Sequence, residues 1–310
     1  MLLVTGASSG IGRAVALAAA ADGSHLALAA REEAALHEVA RWCDSAGAAS
    51  TLVTSTDVGD DSAVARCFSS VVERHGRVDA VIHCAAVLAY GRTEEIPADV
   101  FDAVLRTNVT GSINVARHAL VQMRRQQRGS IVLVGSIAGH VASPQMSPYI
   151  LSKWLTRALA RQLEIENRDM DEINIAYVAP GGVDTPIYEH AANYAGFAGR
   201  PPPPVATPEK VARTILARLD RSGRTHTAWT NHPIRVGFTM MPRLFDALSN
   251  PFFRLVVSDR TQAVATTSGN VHEPIGMRER VHGDRGGPWG AIVKNVAAAI
   301  KQRRRGARGS

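Results

Sequence analysis

The sequence has few of the residues that build metal sites and disulfide frameworks. Its 310 residues include only three cysteines, Cys43, Cys67 and Cys84. An odd number at such wide spacings fits neither a disulfide framework nor a zinc motif. We therefore expect reduced, buried thiols, no bound metal, and a cytoplasmic protein.

Long apolar runs are also missing. No window reaches the ~18 uninterrupted apolar residues that suggest a membrane-spanning helix. The chain opens with Met1 and the apolar run Leu2-Leu3-Val4, without a charged segment before it. A secretory signal is therefore not expected.

Acidic residues are absent from the last part of the chain. The net charge is +7, and residues 294–308 carry six of these positive charges: Lys294, Lys301, Arg303, Arg304, Arg305 and Arg308. A basic tail can attract nucleic acid or anionic lipid. Because this tail has no interleaved aromatic residues, we expect a solvated terminus and no nucleic-acid partner. Peripheral membrane contact remains the less favoured alternative.

Strand-like and helix-like segments alternate over the first 230 residues. The strands are apolar on both faces, which predicts a parallel sheet covered by helices on each side. Right-handed crossovers make this a Rossmann-type, doubly wound α/β fold. About seven strands are predicted, at residues 2–5, 25–30, 51–54, 79–83, 130–134, 173–178 and 225–229.

Two stretches break this alternation. Residues 184–206 are rich in proline and glycine, which is typical of a lid inserted over a site. Residues 234–290 show no clear period. We therefore predict one catalytic domain over residues 1–233. Residues 234–310 form a C-terminal extension that ends in the basic tail and is not an independent domain.

A glycine-rich turn, Thr5-Gly6-Ala7-Ser8-Ser9-Gly10-Ile11-Gly12, joins the first strand to the first helix. Such a turn lets the backbone and the helix N-terminus approach a pyrophosphate. The second strand ends in Ala30-Arg31, where an NAD site usually places an acid. Because a guanidinium binds phosphate well, Arg31 predicts NADP(H) in preference to NAD(H). The alternative is an ordinary surface arginine at the start of a helix.

Tyr149 and Lys153 lie four positions apart on a predicted helix and therefore share one face. A nearby ammonium group favours the phenolate and lowers the tyrosine pKa. Ser136, at the end of the fifth predicted strand, can hold a substrate oxygen beside Tyr149. This arrangement predicts general acid–base chemistry.

Together these motifs resemble the short-chain dehydrogenase/reductase family, in its single-domain branch. The segments near residues 185–204 and 269–274 are similar to a bacterial subgroup with an extended C-terminus. The resemblance implies a catalytic tetrad of Asn108, Ser136, Tyr149 and Lys153. It also implies a homodimer or homotetramer formed through the two long central helices. The cofactor contacts are expected from Gly6, Ser8, Ser9, Gly10, Ile11, Gly12, Arg31, Asp57, Val58, Ala85, Tyr149, Lys153, Pro180, Gly181, Val183 and Thr185.

One segment departs from the family pattern. The family usually has Asn-Asn-Ala-Gly after the fourth strand, and this chain has His83-Cys84-Ala85-Ala86. The asparagines brace the sheet, and the glycine gives the backbone room beside the cofactor. Because no third ligand is evident, we expect buried structural residues rather than a metal or redox pair. The cofactor affinity is expected to change slightly and the chemistry to remain.

The expected function is that of an NADP(H)-dependent oxidoreductase that moves hydride between nicotinamide and a carbonyl or alcohol. A non-catalytic NADP(H)-binding sensor on the same fold is the main alternative. The complete tetrad argues against the sensor. A nucleotide-sugar epimerase or dehydratase is a further alternative, disfavoured by the spacing between Gly6 and Gly10 and by the short extension.

The substrate pocket is expected between the end of the fourth strand, the segment after Ser136 and the lid. Most of its predicted residues are apolar, which favours a hydrophobic carbonyl or alcohol substrate. They are Val87, Leu88, Tyr90, His140, Val141, Met146, Tyr188 and Phe197. Residues 234–257 are rich in large apolar side chains, for which core packing or a subunit contact is preferred over pocket closure or a membrane surface.

Overall fold

The computed structural model describes residues 1–226, 231–276 and 280–284. Its centre is a seven-stranded sheet in the order β3-β2-β1-β4-β6-β7-β12, with every neighbouring pair parallel. Along the chain the sheet first grows from β1 toward β3, and then grows on the other side of β1 from β4 toward β12. This reversal between β1 and β4 confirms the predicted doubly wound fold. The seven strands are β1 Leu2–Thr5, β2 His25–Ala30, β3 Ser50–Ser55, β4 Ala80–His83, β6 Gly129–Val134, β7 Ile173–Ala179 and β12 Gly223–His226.

Helices cover both faces of the sheet. Successive strand side chains point to opposite faces, so Leu2 and Val4 of β1 lie in one core while Leu3 lies in the other. Helices α1, α2 and α8 pack on the first face, and α3, α5 and α6 on the second. The bounds are α1 Gly10–Ala21, α2 Glu33–Ala46, α3 Asp61–His75, α4 Ala98–Leu105, α5 Gly111–Gln126, α6 Ser147–Glu166, α7 Ile187–His190 and α8 Pro208–Leu216.

The helical region between residues 98 and 126 contains an irregular turn. Helices α4 and α5 are joined by a π-helical segment, Arg106–Thr110, that carries Asn108. Ser112 donates a hydrogen bond from Oγ to the Asn108 carbonyl at 2.6 Å. A π turn within a helix is frequent at functional sites, and this one lies beside the end of β4.

The lid and the extension form one packed unit. The lid contains the short strands β9 Ala192–Asn193, β10 Phe197–Gly199 and β11 Val205–Ala206, and β8 Gly182–Val183 directly precedes it. Strand β9 pairs with β5 Ala89–Tyr90. In the extension, β13 Ser258–Ala263 pairs antiparallel with β10. Arg200 and Asp259, both buried, form an ion pair between the two. The extension therefore packs directly on the lid.

Two helices of the extension were not predicted. They are α9 Asn231–Met240 and α10 Pro242–Phe252, followed by a π-helical segment Phe253–Val257. Prolines and a glycine in this region act as helix breakers in sequence patterns. Pro242, however, occupies the first turn of α10, where proline is tolerated.

The seventh strand also differs slightly from its prediction. It was expected at residues 225–229 and begins at Gly223, and residues 227–229 lie outside the described residues. Among the described helices, none is both long and apolar enough to cross a membrane.

Candidate active site and cofactor cleft

The backbone of the glycine-rich turn packs so closely that no side chain fits at Gly6 or Gly12. A Cβ atom at Gly12 would lie 2.1 Å from the Gly6 carbonyl oxygen, and one at Gly6 would lie 2.7 Å from the Ala85 nitrogen. Gly6 also has a φ of +66°, in the left-handed region that favours glycine. The turn therefore needs glycine at both positions, and it presents bare backbone at the start of α1.

A cleft that is partly open to solvent lies along this turn and the carboxyl ends of the strands. The cleft is lined by these predicted cofactor residues: Gly6, Ser8, Ser9, Gly10, Ile11, Gly12, Arg31, Asp57, Val58, Ala85 and Thr185. Val87 also lines the cleft, although it had been assigned to the substrate pocket. Several further lining residues were not predicted as cofactor contacts: Ala30, Glu32, Thr56, Cys84, Ala86, Thr107, Pro186, Ile187, His190, Asn270 and Pro274.

The remaining predicted cofactor residues do not line this cleft within the described part of the chain: Tyr149, Lys153, Pro180, Gly181 and Val183. Pro180 accepts a hydrogen bond from the Ile137 nitrogen at 2.8 Å, which ties the end of β7 to the segment after Ser136. Val183 is buried in the core on the α1 side of the sheet. Their direct contact with a cofactor stays a prediction.

Three members of the predicted tetrad lie together at the ends of β6 and α6. Ser136 precedes a short 3₁₀ turn, Ile137–Gly139, and its Oγ accepts a hydrogen bond from the Ala138 nitrogen at 3.1 Å. The Ser136 side chain also hydrogen bonds with the Tyr149 hydroxyl. The Lys153 Nζ lies 5.6 Å from the centre of the Tyr149 ring. The serine and tyrosine hydroxyls can therefore hold one substrate oxygen between them.

Asn108 holds the loop after β4. Its Oδ1 accepts from the Val87 nitrogen at 2.8 Å, and its Nδ2 donates to the Val87 carbonyl at 2.9 Å and to the Ser152 Oγ at 3.0 Å. The amide is thus committed to fixing the cleft wall and the helix that carries Tyr149. Asn108 therefore positions Val87 and α6, and its role in the catalytic tetrad stays a prediction.

The pKa of Tyr149 departs from the sequence prediction. Burial raises it to about 12, and the hydrogen bond with Ser136 only partly opposes this change. Lys153 is 5% exposed, and its Nζ donates to the Val134 carbonyl at 3.2 Å. Burial lowers the pKa of Lys153 to about 8. Desolvation therefore outweighs the expected effect of the ammonium on Tyr149, and the phenol is protonated at neutral pH.

His83 is buried behind this cluster, with 2% of its surface exposed. Its Nδ1 shares a hydrogen bond with the Thr5 Oγ1 at 2.8 Å, and its Nε2 has no hydrogen-bond partner among the described residues. Burial, and then the charge of Lys153, lower the pKa of His83 to about 3. Burial raises the pKa of Cys84 to about 12. Among the described residues, no group of three His, Cys, Asp or Glu side chains could hold a metal ion, and the structural role of His83 and Cys84 stays a prediction.

His83→Asn is expected to make the protein less sensitive to acid. The pKa of His83 lies below its ordinary value of 6.5, so between pH 6.5 and about 3 the unfolded chain binds a proton that the folded chain excludes. The contribution of His83 to the free energy of unfolding is complete above pH 6.5. As the pH falls from 6.5 to about 3, this contribution decreases by up to about 1.4 kcal/mol per pH unit.

Urea unfolding of the wild type and of His83→Asn across this pH window measures the effect. His37→Asn serves as the control, because the His37 side chain is exposed. An unfolding free energy of His83→Asn that falls with acid as steeply as that of the wild type would contradict the assignment.

Arg31 lies at the edge of the cleft and is held by the C-terminal extension. Its Nη1 donates to the carbonyls of Val271 and His272 at 3.2 Å each, and its Nη2 donates to the Asn270 carbonyl at 2.5 Å. Arg31 thus has partners far away in sequence, and its role toward a 2′-phosphate stays a prediction. The guanidinium joins the cofactor cleft to a segment some 240 residues away along the chain.

The predicted substrate residues divide into three groups. Leu88, Tyr90, Met146 and Phe197 form an apolar cluster with Phe253 and Val257 of the extension, against which Tyr149 and Tyr188 pack. Val87 lies in a different cluster beside α4.

The third group consists of His140 and Val141, which make other contacts. The ring centre of His140 lies 6.0 Å from that of Tyr177, and the Val141 carbonyl accepts from the Trp154 Nε1 at 3.1 Å. Phe253 and Val257 belong to the apolar stretch 234–257, for which core packing or a subunit contact had been expected.

The chain is similar to proteins of known family. The sequence profile of the family described as "short chain dehydrogenase" matches residues 1–194. A sepiapterin reductase of Chlorobaculum tepidum is 32% identical over 195 residues, which cover 61% of this chain and 79% of that protein. An 11-beta-hydroxysteroid dehydrogenase A of Arachis hypogaea is 34% identical over 59% of this chain, and the match spans about half, 52%, of its length.

A solved structure adds to this similarity. An alcohol dehydrogenase of the archaeon Thermococcus sibiricus, complexed with 5-hydroxy-NADP, superimposes with a TM-score of 0.63 at 27% identity. The superposition covers 73% of this chain and 94% of that one.

Proposed function

This chain belongs to the short-chain dehydrogenase family and is an oxidoreductase acting on CH–OH and C=O groups with a nicotinamide cofactor, and we propose that it uses NADP(H) with Tyr149 as its acid and base. The observation that carries the proposal is the meeting of the Ser136 and Tyr149 hydroxyls beside the buried Lys153. These groups lie at the same edge of the sheet as the glycine-rich turn.

Ser136, Tyr149 and Lys153 have different roles in the proposed reaction. The nicotinamide, when bound, supplies or accepts the hydride. Ser136 and Tyr149 hold the substrate oxygen by hydrogen bonds, and in reduction Tyr149 donates its proton to that oxygen. The burial that keeps Tyr149 protonated suits it to be the acid in this direction. Lys153 keeps positive charge beside the phenolate that forms.

The substrate is proposed to be an apolar carbonyl compound or alcohol. Tyr149 packs against a buried apolar cluster that includes Leu88, Met146, Phe197 and Phe253. Apolar surroundings of this kind favour a substrate whose reacting oxygen is its main polar group near the tetrad.

We also propose a cytoplasmic homo-oligomer assembled through α5 and α6. Six large apolar side chains on these helices are more than a third exposed: Ile113, Val121, Leu151, Trp154, Leu155 and Ile165. Exposed apolar surface of this kind is typical of a subunit contact. Light scattering that finds only a monomer would contradict this assembly.

The proposed NADP(H) preference rests on Arg31. β2 ends in Ala30 where an NAD site usually places an acid, and Arg31 lines the cleft there with Glu32 next to it. The Thermococcus sibiricus relative was solved with 5-hydroxy-NADP, which is compatible with this preference. A hydrogen bond to a charged phosphate contributes about 1.5–3 kcal/mol, or roughly 10- to 100-fold in affinity.

Arg31→Ala is therefore expected to weaken NADPH binding by roughly 10- to 100-fold and NADH binding much less, because NADH lacks the 2′-phosphate. Fluorescence titration of the purified protein with each cofactor measures the two affinities. Arg74→Ala, at an exposed position on α3, is the matched control. Tighter binding of NADH than of NADPH by the wild type would contradict the preference, and binding of neither would favour a non-catalytic role.

A further inference from the structure

Helices α9 and α10 of the extension leave their large apolar side chains in solvent. In the described part of the chain, neither helix buries an apolar side chain. Six large apolar side chains of these helices and of the turn between them expose between 48% and 73% of their surface, and they are called the extension face here: Val236, Met240, Met241, Leu244, Leu248 and Phe252. An exposed apolar surface of this kind is typical of a binding site.

The apolar residues of α10 lie in one line along the helix. Leu244, Leu248 and Phe252 follow one another at intervals of four residues, and residues at this spacing share one side of a helix. In a helix that packs on a protein core, such a line faces the core. Because the line on α10 is about half exposed at each position, it is available to a partner.

The inner side of the same two helices is anchored to the body of the protein. The ring centre of Phe238 on α9 lies 6.0 Å from that of Trp154 on α6 and 5.1 Å from that of Phe245 on α10. Phe253, directly after α10, is buried in the apolar cluster at Tyr149. The extension face is therefore the outer side of an anchored pair of helices, and it ends next to the proposed substrate site.

The charged residues around the extension face are mainly basic. Residues 231–257 contain Arg235, Arg243 and Arg254, and their single acid is Asp246. Arg243 and Arg254 are exposed. The extension face thus combines apolar surface with positive charge, and it complements a partner that offers apolar volume next to negative charge.

A second copy of this chain does not provide that complement. In a contact with two-fold symmetry the same patch of both copies meets, so the arginines of both copies would be brought together. Like charges that meet across an interface weaken binding. The basic tail of this chain has the same sign, since residues 285–310 contain no acid. An anionic lipid surface offers acyl chains for the apolar residues and phosphates for the arginines.

We propose that the extension face docks on an anionic membrane surface, with α9 and α10 lying in the plane of the interface. The line formed by Leu244, Leu248 and Phe252 enters the boundary of the acyl chains. Arg243 and Arg254 contact the lipid phosphates, and each such basic residue contributes to the attraction. Docking of this kind is peripheral and reversible. It needs no cofactor, so its test is independent of the proposed function.

Flotation with lipid vesicles tests the docking of the full chain. The protein should float with vesicles made of phosphatidylcholine and phosphatidylglycerol in equal parts, and much less with vesicles of phosphatidylcholine alone. Added salt should weaken the binding to the anionic vesicles, because salt screens the arginines.

A double variant, Met240→Gln with Leu248→Gln, tests the apolar part of the face. It should lower the affinity for the anionic vesicles by about tenfold or more, because two apolar side chains no longer leave water on docking. Both positions are exposed, so the melting temperature should change little. Trp42→Gln is the control, since Trp42 is an exposed apolar residue on α2, outside both the extension face and the proposed subunit contact. It should float like the wild type.

A second double variant, Arg243→Glu with Arg254→Glu, tests the charge. It should lower the affinity for the anionic vesicles by roughly tenfold or more. Arg41→Glu with Arg74→Glu is the control, because it changes the net charge equally at exposed positions on α2 and α3. This control should bind the anionic vesicles much more tightly than the variant on the extension face.

Three results would overturn the docking. The first is a full chain that does not float with the anionic vesicles. The second is unchanged flotation of Met240→Gln with Leu248→Gln while a full chain with Arg303, Arg304 and Arg305 replaced by glutamine no longer floats, since the tail would then bind the lipid. The third is a fall in particle mass by light scattering for Met240→Gln with Leu248→Gln, which would make the face a subunit contact.

Discussion

Tyr149→Phe is expected to lower the turnover of a carbonyl substrate by about 10²- to 10⁴-fold, the usual contribution of a positioned acid or base. The substitution removes the hydroxyl that bonds with Ser136 and keeps the ring that packs in the apolar cluster. The pKa of Tyr149, raised to about 12, keeps the proton available for donation over the neutral range. NADPH binding and the melting temperature should change little.

Oxidation of NADPH with the best substrate from a panel of ketones and aldehydes measures this effect. Tyr194→Phe is the matched control, since Tyr194 packs against a separate cluster beside α4. Its turnover should equal that of the wild type. A Tyr149→Phe enzyme with normal turnover would show that the proton comes from another group.

Lys153→Met is expected to reduce turnover by about 10²- to 10³-fold, the cost of losing one buried electrostatic donor. Methionine has a similar length and fills the same space without a charge. The pKa of Lys153 is lowered to about 8 from its ordinary 10.5, so the unfolded chain binds its proton more tightly than the folded chain does. This penalty on folding is complete below pH 8 and disappears as the pH rises to 10.5.

Lys153→Met should therefore melt at an equal or higher temperature than the wild type at neutral pH while being nearly inactive. Lys210→Met, at an exposed position on α8, is the control for both measurements. Strong loss of stability together with loss of activity would mean that Lys153 acts mainly as a packing residue. Retained turnover would remove it from the mechanism.

The sheet and its cofactor turn could be predicted because their signals are local. Each strand is a short apolar run, and the glycines at positions 6, 10 and 12 mark the turn directly. The spacing of Tyr149 and Lys153 placed both on one helix, and the structure has them on α6. Patterns within a few residues were sufficient for these features.

The features that could not be predicted depend on contacts between distant segments. Nothing near Arg31 in sequence indicates that residues 270–272 hold its guanidinium. The pKa of Tyr149 was predicted to fall because its partner Lys153 was visible in the sequence, whereas the burial that raises it was not. Long-range packing decides both cases.

The helices of the extension also could not be predicted from the sequence. In α9 and α10, Val236, Met240 and Leu248 each have more than half of their surface exposed to solvent. A sequence pattern that assumes buried apolar faces cannot assign such helices, and the prolines add breaker signals. The contribution of Phe253 and Val257 to the cluster at Tyr149 became visible only in three dimensions.

The most direct test of the central claim follows the hydride itself. NADPH carrying deuterium at both C4 positions of the nicotinamide is incubated with the protein and a panel of apolar ketones and aldehydes, and the products are examined by mass spectrometry. We predict an alcohol with one deuterium on the carbinol carbon from the wild type, and a strongly reduced yield from Tyr149→Phe. A protein that binds NADPH and yet transfers no deuterium to any carbonyl would contradict the account and support a non-catalytic, cofactor-binding role.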